Sequence, residues 1–235
     1  MLISHLWQSC IEKASIFNYK ERMTAKILTI AQHKGGAGKT TITTQLASMI
    51  AHDQHKVLLI DSDPQGSSRE WFEARVKTLG RKNKMTLSVS QGWSLMRDLP
   101  AYKKDYDFIL IDTPPHANSE ASIAIRLADL VLMPVQPSPL DVWACAPTIT
   151  LILEEKKPVM LVMNRVPAKS KLNEAMMEKL ACLKINVAKQ SLGNRIVFAS
   201  SMVHGLGVIE HEPRSTAREE IENLWNDIQK KLKKL

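Results

Sequence analysis

The stretch His33-Lys34-Gly35-Gly36-Ala37-Gly38-Lys39-Thr40-Thr41 has the residue types and spacing needed to hold a phosphate. Glycines at 35, 36 and 38 let backbone N–H groups turn toward an anion, and a helix beginning just after them adds positive potential. Lys39 has the reach for β- and γ-phosphates, and the Thr40 hydroxyl can ligate Mg²⁺. The common phosphate loop, G-x-x-x-x-G-K-[ST], would place glycine at 33. Here position 33 is histidine, and a second lysine, Lys34, opens the loop.

Three carboxylates complete the set. Asp61 and Asp63 sit two apart after the apolar run Val57-Leu58-Leu59-Ile60. One of them could sense Mg²⁺ and the other orient an attacking water. Turn chemistry ahead of Pro64 would also account for aspartate there. Asp112 follows Phe108-Ile109-Leu110-Ile111, the layout in which a carboxylate at a dry strand end serves Mg²⁺ through water. The plainer alternative is a polar residue that simply ends a strand.

Elements able to position these groups alternate along the chain. Short apolar runs predict strands over 26–33, 56–60, 85–89, 107–111, 130–135 and 158–163, with a short strand near Val187. Helices are expected over 40–52, 67–79, 119–128, from about 140 to 155, 169–183 and 216–234. The segment 186–211 is hard to read, with loops around Gly193, Gly205 and Gly207. Alternation of this kind predicts an α/β fold, a mostly parallel twisted sheet with helices on both faces. Ligand groups then gather at the carboxyl ends of the strands, where all three candidate motifs fall.

Composition narrows the classes. A chain of 235 residues is long enough for one α/β domain, read as residues 23–235, with 1–22 as an N-terminal extension or accessory helix. Thirty-two basic residues against 24 acidic ones give a net charge of +8, which favours a polyanionic partner, either nucleic acid or an acidic membrane surface. Cys10, Cys145 and Cys182 are too scattered for a disulfide frame or a thiolate metal site, so a reduced, cytoplasmic setting is expected. The apolar runs fall short of the ~20 residues of a spanning helix.

The motif set is specific. Lys34 to Thr41 resembles the deviant Walker A sequence, K-G-G-x-G-K-[ST], of the ParA/MinD class of P-loop ATPases. Leu59-Ile60-Asp61-Ser62-Asp63-Pro64-Gln65-Gly66 resembles that class's second motif, and Ile111-Asp112-Thr113-Pro114-Pro115 its Walker B. Pro134-Val135-Gln136-Pro137-Ser138-Pro139-Leu140-Asp141 is similar to its P-V-x-P-S-x-x-D segment. The likeness runs in order over roughly residues 26–165 and is strongest to small ParA partition ATPases.

The resemblance implies slow ATP hydrolysis with ATP and Mg²⁺ as ligands, in an ATP-dependent sandwich homodimer. Lys34 would cross to the partner's phosphates, Lys39 would hold phosphate in its own subunit, and Gly35 to Thr41 would cradle it. Asp63 would position the attacking water. Thr40, Asp61 and Asp112 would support the metal, and Asn164 would contact adenine. Gly193-Asn194-Arg195-Ile196-Val197 resembles a segment involved in nonspecific DNA binding, which makes Arg195 and Arg218 candidates. The implied partners are nonspecific DNA and a centromere-binding or cargo-adaptor protein, at the nucleoid.

The last helix has an apolar face of Ile221, Leu224, Trp225, Ile228, Leu232 and Leu235, and its end is crowded by Lys230, Lys231, Lys233 and Lys234. It reads as a docked helix, with DNA contact by the lysines or a membrane-surface role, as in MinD-like proteins, as alternatives. Trp71, Trp93, Trp143 and Trp225 are expected to be packing residues rather than base-stacking platforms. A metabolic P-loop ligase is the competing enzyme class, and a nucleotide-gated scaffold the non-catalytic one.

Overall fold

A computed structural model describes residues 24–115, 119–168, 176–180 and 185–235. The expected extension at 1–22 and most of the predicted helix at 169–183 lie outside the described residues.

Seven strands form one parallel sheet: β1 Lys26–Ile30, β2 Val57–Asp61, β3 Met85–Val89, β4 Phe108–Asp112, β5 Leu130–Val135, β6 Val159–Met163 and β7 Asn186–Val187. Their order is β3-β2-β4-β1-β5-β6-β7. The central strands are buried on both faces, which is why they read as unbroken apolar runs rather than alternating ones. Alternate residues feed opposite layers. Leu28, Ile30, Val57, Leu59 and Leu110 pack on one side. Ile27, Leu58, Ile60, Ile109 and Ile111 pack on the other.

The register decides where the chemistry converges. Asp61 on β2 lies directly beside Asp112 on β4, and Ile30, the last residue of β1, lies on the other side of Asp112. The end of β1 that feeds the glycine loop therefore meets both strand-end carboxylates.

Helices α1 Lys39–His52, α2 Ser67–Leu79, α3 Gly92–Asp105, α4 Ser119–Leu127, α5 Pro139–Trp143, α6 Ala146–Glu154, α7 Ile196–Val203, α8 Val208–His211 and α9 Thr216–Leu232 surround the sheet, and residues 176–180 are also helical. Helix α1 is buried almost all round, although it is rich in threonine. Its hydroxyls bond back to the preceding turn, Thr43 to the Lys39 carbonyl at 2.9 Å and Ser48 to the Thr44 carbonyl at 2.9 Å, so no donor is stranded. Gln45 ties α1 outward, accepting from the Val208 N–H at 2.7 Å and donating to Ser201 Oγ at 3.0 Å.

Three findings differ from the sequence reading. Helix α3 was not foreseen. Pro100 sits inside it and forfeits a backbone bond, but burial of Leu95 and Leu99 against the sheet holds it in place. The expected single helix over 140–155 is broken into α5 and α6, because the Pro147 ring near the start of α6 blocks continuation from α5. Trp71 and Trp225 are buried as expected, whereas Trp93 and Trp143 are 79% and 66% exposed. Trp93 lies in the first turn of α3 and Trp143 ends the short helix α5, and residue type alone did not place either side chain in the core.

The last helix docks. Ile221, Leu224, Trp225 and Ile228 are at most 1% exposed, and the Trp225 indole donates to Asp53 Oδ2 at 3.0 Å. Among the described residues no helix is long and apolar enough to cross a membrane.

Candidate nucleotide site

The loop between β1 and α1 opens onto a cleft of about 310 Å³ lined by Gly35, Gly36, Gly38, Lys39, Thr40, Thr41, Asp63, Gln65, Ser67, Pro115 and Arg165. Its glycines do distinct work. Gly36 and Gly38 adopt φ of 73° and 97°, which L side chains rarely adopt. A Cβ on Gly38 would also stand 2.2 Å from Asn164 Nδ2.

Lys39 enters the site from the first turn of α1. Its ammonium is buried and donates to the Gln32 carbonyl at 3.1 Å. Burial lowers its pKa, opposed by attraction to Asp112 and Asp63. A cation with so little compensation is poised to take an anionic partner.

Asp112 is the hub. Its Oδ2 accepts from Thr40 Oγ1 and from Ser68 Oγ, both at 2.7 Å, and its Oδ1 accepts from Thr43 Oγ1 at 3.4 Å. Burial pushes the carboxyl up to about 6, while the Thr40 and Ser68 hydroxyls pull in the opposite direction. Thr40 thus bridges the phosphate loop and the strand-end carboxylate.

Asp61 is fully buried and turned to the backbone. Its oxygens accept from the Asp63 N–H at 3.1 Å and from the Arg69 N–H at 2.8 Å. Burial raises its pKa, against those two bonds. It orders the 62–69 turn and caps α2, and it does not line the cleft. Asp63, two residues on, is only partly buried and does line it.

Lys34 does not line its own cleft. Its ammonium pairs with Asp141 Oδ2 at 2.8 Å, where the lysine side chain is 37% exposed and the aspartate 7%. Ser138 donates to the same carboxylate. The signature lysine and the aspartate of the Pro134–Asp141 segment, over a hundred residues apart, are therefore partners within one subunit.

Asn164 is buried beneath the loop. Its Nδ2 donates to the Ala37 carbonyl at 2.9 Å, which holds the loop's shape. The next residue, Arg165, adopts φ of 54° and lines the cleft. Gln136 adds a second brace, donating to the Gly36 carbonyl at 2.9 Å. Sequence reasoning missed Ser68, Gln136 and Arg165. Ser68 and Arg165 are common residue types that no motif assigns a role, and Gln136 occupies the unspecified position of the P-V-x-P-S-x-x-D segment, so only position in space marks them.

Arg195 and Arg218 do not line the cleft, and each is held by acid. Arg195 Nη2 pairs with Glu220 Oε1 at 2.7 Å, and Arg218 Nη2 with Glu222 Oε1 at 2.5 Å.

The residues present suit Mg²⁺ as a companion to nucleotide. One hydroxyl and one buried carboxylate converge, and among the described residues no group of three or more His, Cys, Asp or Glu side chains could cage a metal alone. Mg²⁺ characteristically takes one or two protein ligands and completes its shell with phosphate and water.

The model for the CobQ/CobB/MinD/ParA nucleotide-binding domain matches residues 28–208. The chain is 29% identical over 208 residues to maintenance of carboxysome distribution protein A of Halothiobacillus neapolitanus, covering 86% of this chain and 95% of that one. It is 23% identical over 247 residues to the sporulation initiation inhibitor protein Soj of Bacillus subtilis, covering 86% and 98%. Among solved structures, an ATP complex of Cyanothece McdA superposes with a TM-score of 0.75 at 18% identity, over 88% of this chain and 97% of that one.

Proposed function

We propose that this chain, which belongs to the CobQ/CobB/MinD/ParA nucleotide-binding family, is a ParA-type ATPase whose ATP-bound sandwich dimer binds DNA nonspecifically and positions a cargo through a partner protein. The observation that carries this is the division of labour between the two loop lysines. Lys39 faces the cleft of its own subunit, whereas Lys34 is held outside that cleft on Asp141. A loop that presents one lysine inward and keeps the other in reserve suits an active site completed by a second copy.

In this reading the backbone of residues 35–41 binds phosphate and Lys39 neutralises it. Thr40 and Asp112 would hold Mg²⁺, which supplies charge neutralisation at the β- and γ-oxygens. Asp63 accepts a hydrogen bond from the attacking water and fixes its direction. Lys34, released from Asp141 and delivered across the dimer, stabilises the charge spread over the γ-phosphoryl oxygens, as an arginine finger does. Hydrolysis then depends on dimerisation, and the dimer on ATP. The net charge of +8 supports a polyanionic track. Against the membrane-surface alternative, Ile221, Leu224, Trp225 and Ile228 of α9 pack inside the domain rather than facing outward. Relatives of similar length serve carboxysome distribution and sporulation control, and the cargo here is set by the partner.

The test combines light scattering with ATP turnover. ATP and Mg²⁺ should convert monomer to dimer, ADP should not, and duplex DNA of arbitrary sequence should bind only the ATP form. Absence of ATP-dependent, salt-sensitive DNA binding removes the DNA part. Rapid turnover with a small-molecule acceptor would favour a ligase instead.

A further inference from the structure

The two arginines singled out for DNA contact are engaged by glutamates, while a separate basic surface is not. A groove of about 290 Å³ runs between β7, the outer strand of the sheet, and the last turns of α9. It is lined by Met160, Asn186, Val187, Ala188, Asp227 and four lysines, Lys189, Lys230, Lys231 and Lys234. A second hollow of about 210 Å³ adjoins it and shares Lys189, Asp227 and Lys230.

We propose that this groove docks the phosphate backbone of duplex nucleic acid, and that Lys189, Lys230, Lys231 and Lys234, rather than Arg195 and Arg218, supply most of the contact. The proposal rests on the DNA-binding part of the function above and assigns its surface.

Three observations carry it. First, none of these four lysines takes part in an ion pair among the described residues, whereas Arg195 and Arg218 would each have to surrender a glutamate to reach a phosphate. Among the described residues the only acid lining the groove, Asp227, already accepts from the Gln190 N–H at 3.0 Å. Second, the lysines come from two elements. Helix-end lysines alone would be accounted for by the dipole of α9, but Lys189 leaves β7 and converges on the same hollow. Third, a concave groove in which four lysines outnumber one aspartate carries a net positive field, which suits a rod of phosphates. A lipid surface is the weaker fit, because the apolar residues of α9 that would enter it are buried. Met160 ties the groove to the second residue of β6, toward the amino ends of the strands. The nucleotide cleft lies at their carboxyl ends, so DNA and nucleotide do not compete for one surface.

The experiment measures anisotropy of a labelled duplex of arbitrary sequence with the full chain, ATP and Mg²⁺, from 50 to 200 mM salt. Compared are the natural protein, a groove variant with Lys189→Gln, Lys230→Gln, Lys231→Gln and Lys234→Gln, an Arg195→Gln/Arg218→Gln variant, and a charge-matched control with Lys77→Gln, Lys82→Gln, Lys84→Gln and Lys104→Gln. Melting curves check that each is folded. Each lysine on a phosphate contributes about 0.9 to the slope of log K against log salt. The groove variant should therefore lose ~3.6 from that slope per engaged subunit, and the natural protein should weaken roughly 150-fold more than the variant over this salt range. The control and the arginine variant should keep most of the slope. A folded groove variant that binds like the natural protein overturns the assignment and leaves the function intact. Failure of the natural protein itself to bind overturns the DNA reading of the function and this assignment with it. Loss of binding to phosphatidylglycerol vesicles with DNA binding unchanged would give the lysines to a membrane and overturn the proposal.

Discussion

Replacing Asp112 by Asn should make the nucleotide-free protein more stable while ruining its Mg²⁺-dependent affinity for ATP. The fit of the new side chain follows from the hydrogen bonds. With its oxygen in the place of Oδ2, Asn keeps the Thr40 and Ser68 donors, both at 2.7 Å. Its NH₂ then faces Thr43 Oγ1 at 3.4 Å, a hydroxyl that already donates to the Lys39 carbonyl and so has a lone pair to offer. The energy follows from the pKa. Folding raises Asp112 from 3.8 to about 6, with Lys39 already counted among the causes. A shift of about two units corresponds to about 3 kcal/mol. The sign is that of an acid whose folded pKa is raised. Stability is full below about pH 4, where the group is protonated in both states, and is lost as pH rises through about 6. At pH 7 the natural protein carries the whole penalty and the Asn variant none of it. The variant should melt roughly 6–12 °C higher at pH 7, and the gap should close toward pH 4. The assay is thermal and urea unfolding in EDTA without nucleotide at both pH values, followed by titration of a fluorescent ATP analogue with and without Mg²⁺. A variant less stable than the natural protein at pH 7, or a gap that does not depend on pH, would refute the reasoning.

Other predictions follow from the same geometry. Lys34→Ala should cut dimer-dependent turnover by roughly 10³-fold or more, the scale of a charge supplied in trans, and leave nucleotide binding by the single subunit largely intact. A monomeric variant hydrolysing ATP at the full stimulated rate would end that reading. Asp63→Ala should lower turnover by about 10²–10⁴-fold while ATP still drives dimerisation, read by light scattering, and unchanged turnover would instead favour a nucleotide-gated scaffold. Gly205→Ala should cost more than about 3 kcal/mol in urea unfolding. A Cβ there stands 2.0 Å from the Arg75 backbone nitrogen, and it would dislodge an arginine that donates to the Gly205 carbonyl at 3.1 Å and pairs with Glu210 at 2.5 Å.

Much of the scaffold could be read from the chain because its signals are local. An apolar run that stops at an aspartate marks a buried strand and its end within a few residues, and β3, β5 and α2 carry the bounds expected of them. Helix α3 escaped because its signal is mixed, with a proline inside and only Leu95 and Leu99 deeply buried. The exposed Trp93 and Trp143 escaped for a related reason, since residue type reports a tendency to be buried and not whether a layer is there to cover it.

The sequence by itself determined the chemistry available: a phosphate loop with a second lysine, carboxylates at two strand ends and a basic balance of charge. Only the tertiary structure decided which groups answer to which. Asp61 and Asp63 are near neighbours in the chain, yet one is locked to backbone and the other faces the cleft. Lys34 finds Asp141, Ser68 finds Asp112, and Arg195 and Arg218 find glutamates, while the lysines around β7 and α9 line a groove and make no ion pair among the described residues. A side chain's partner is fixed by distance in space, and strand register and helix packing bring together residues that no spacing rule relates. The types of groups are therefore written locally, and their pairings, which set charge and exposure, are written by the fold.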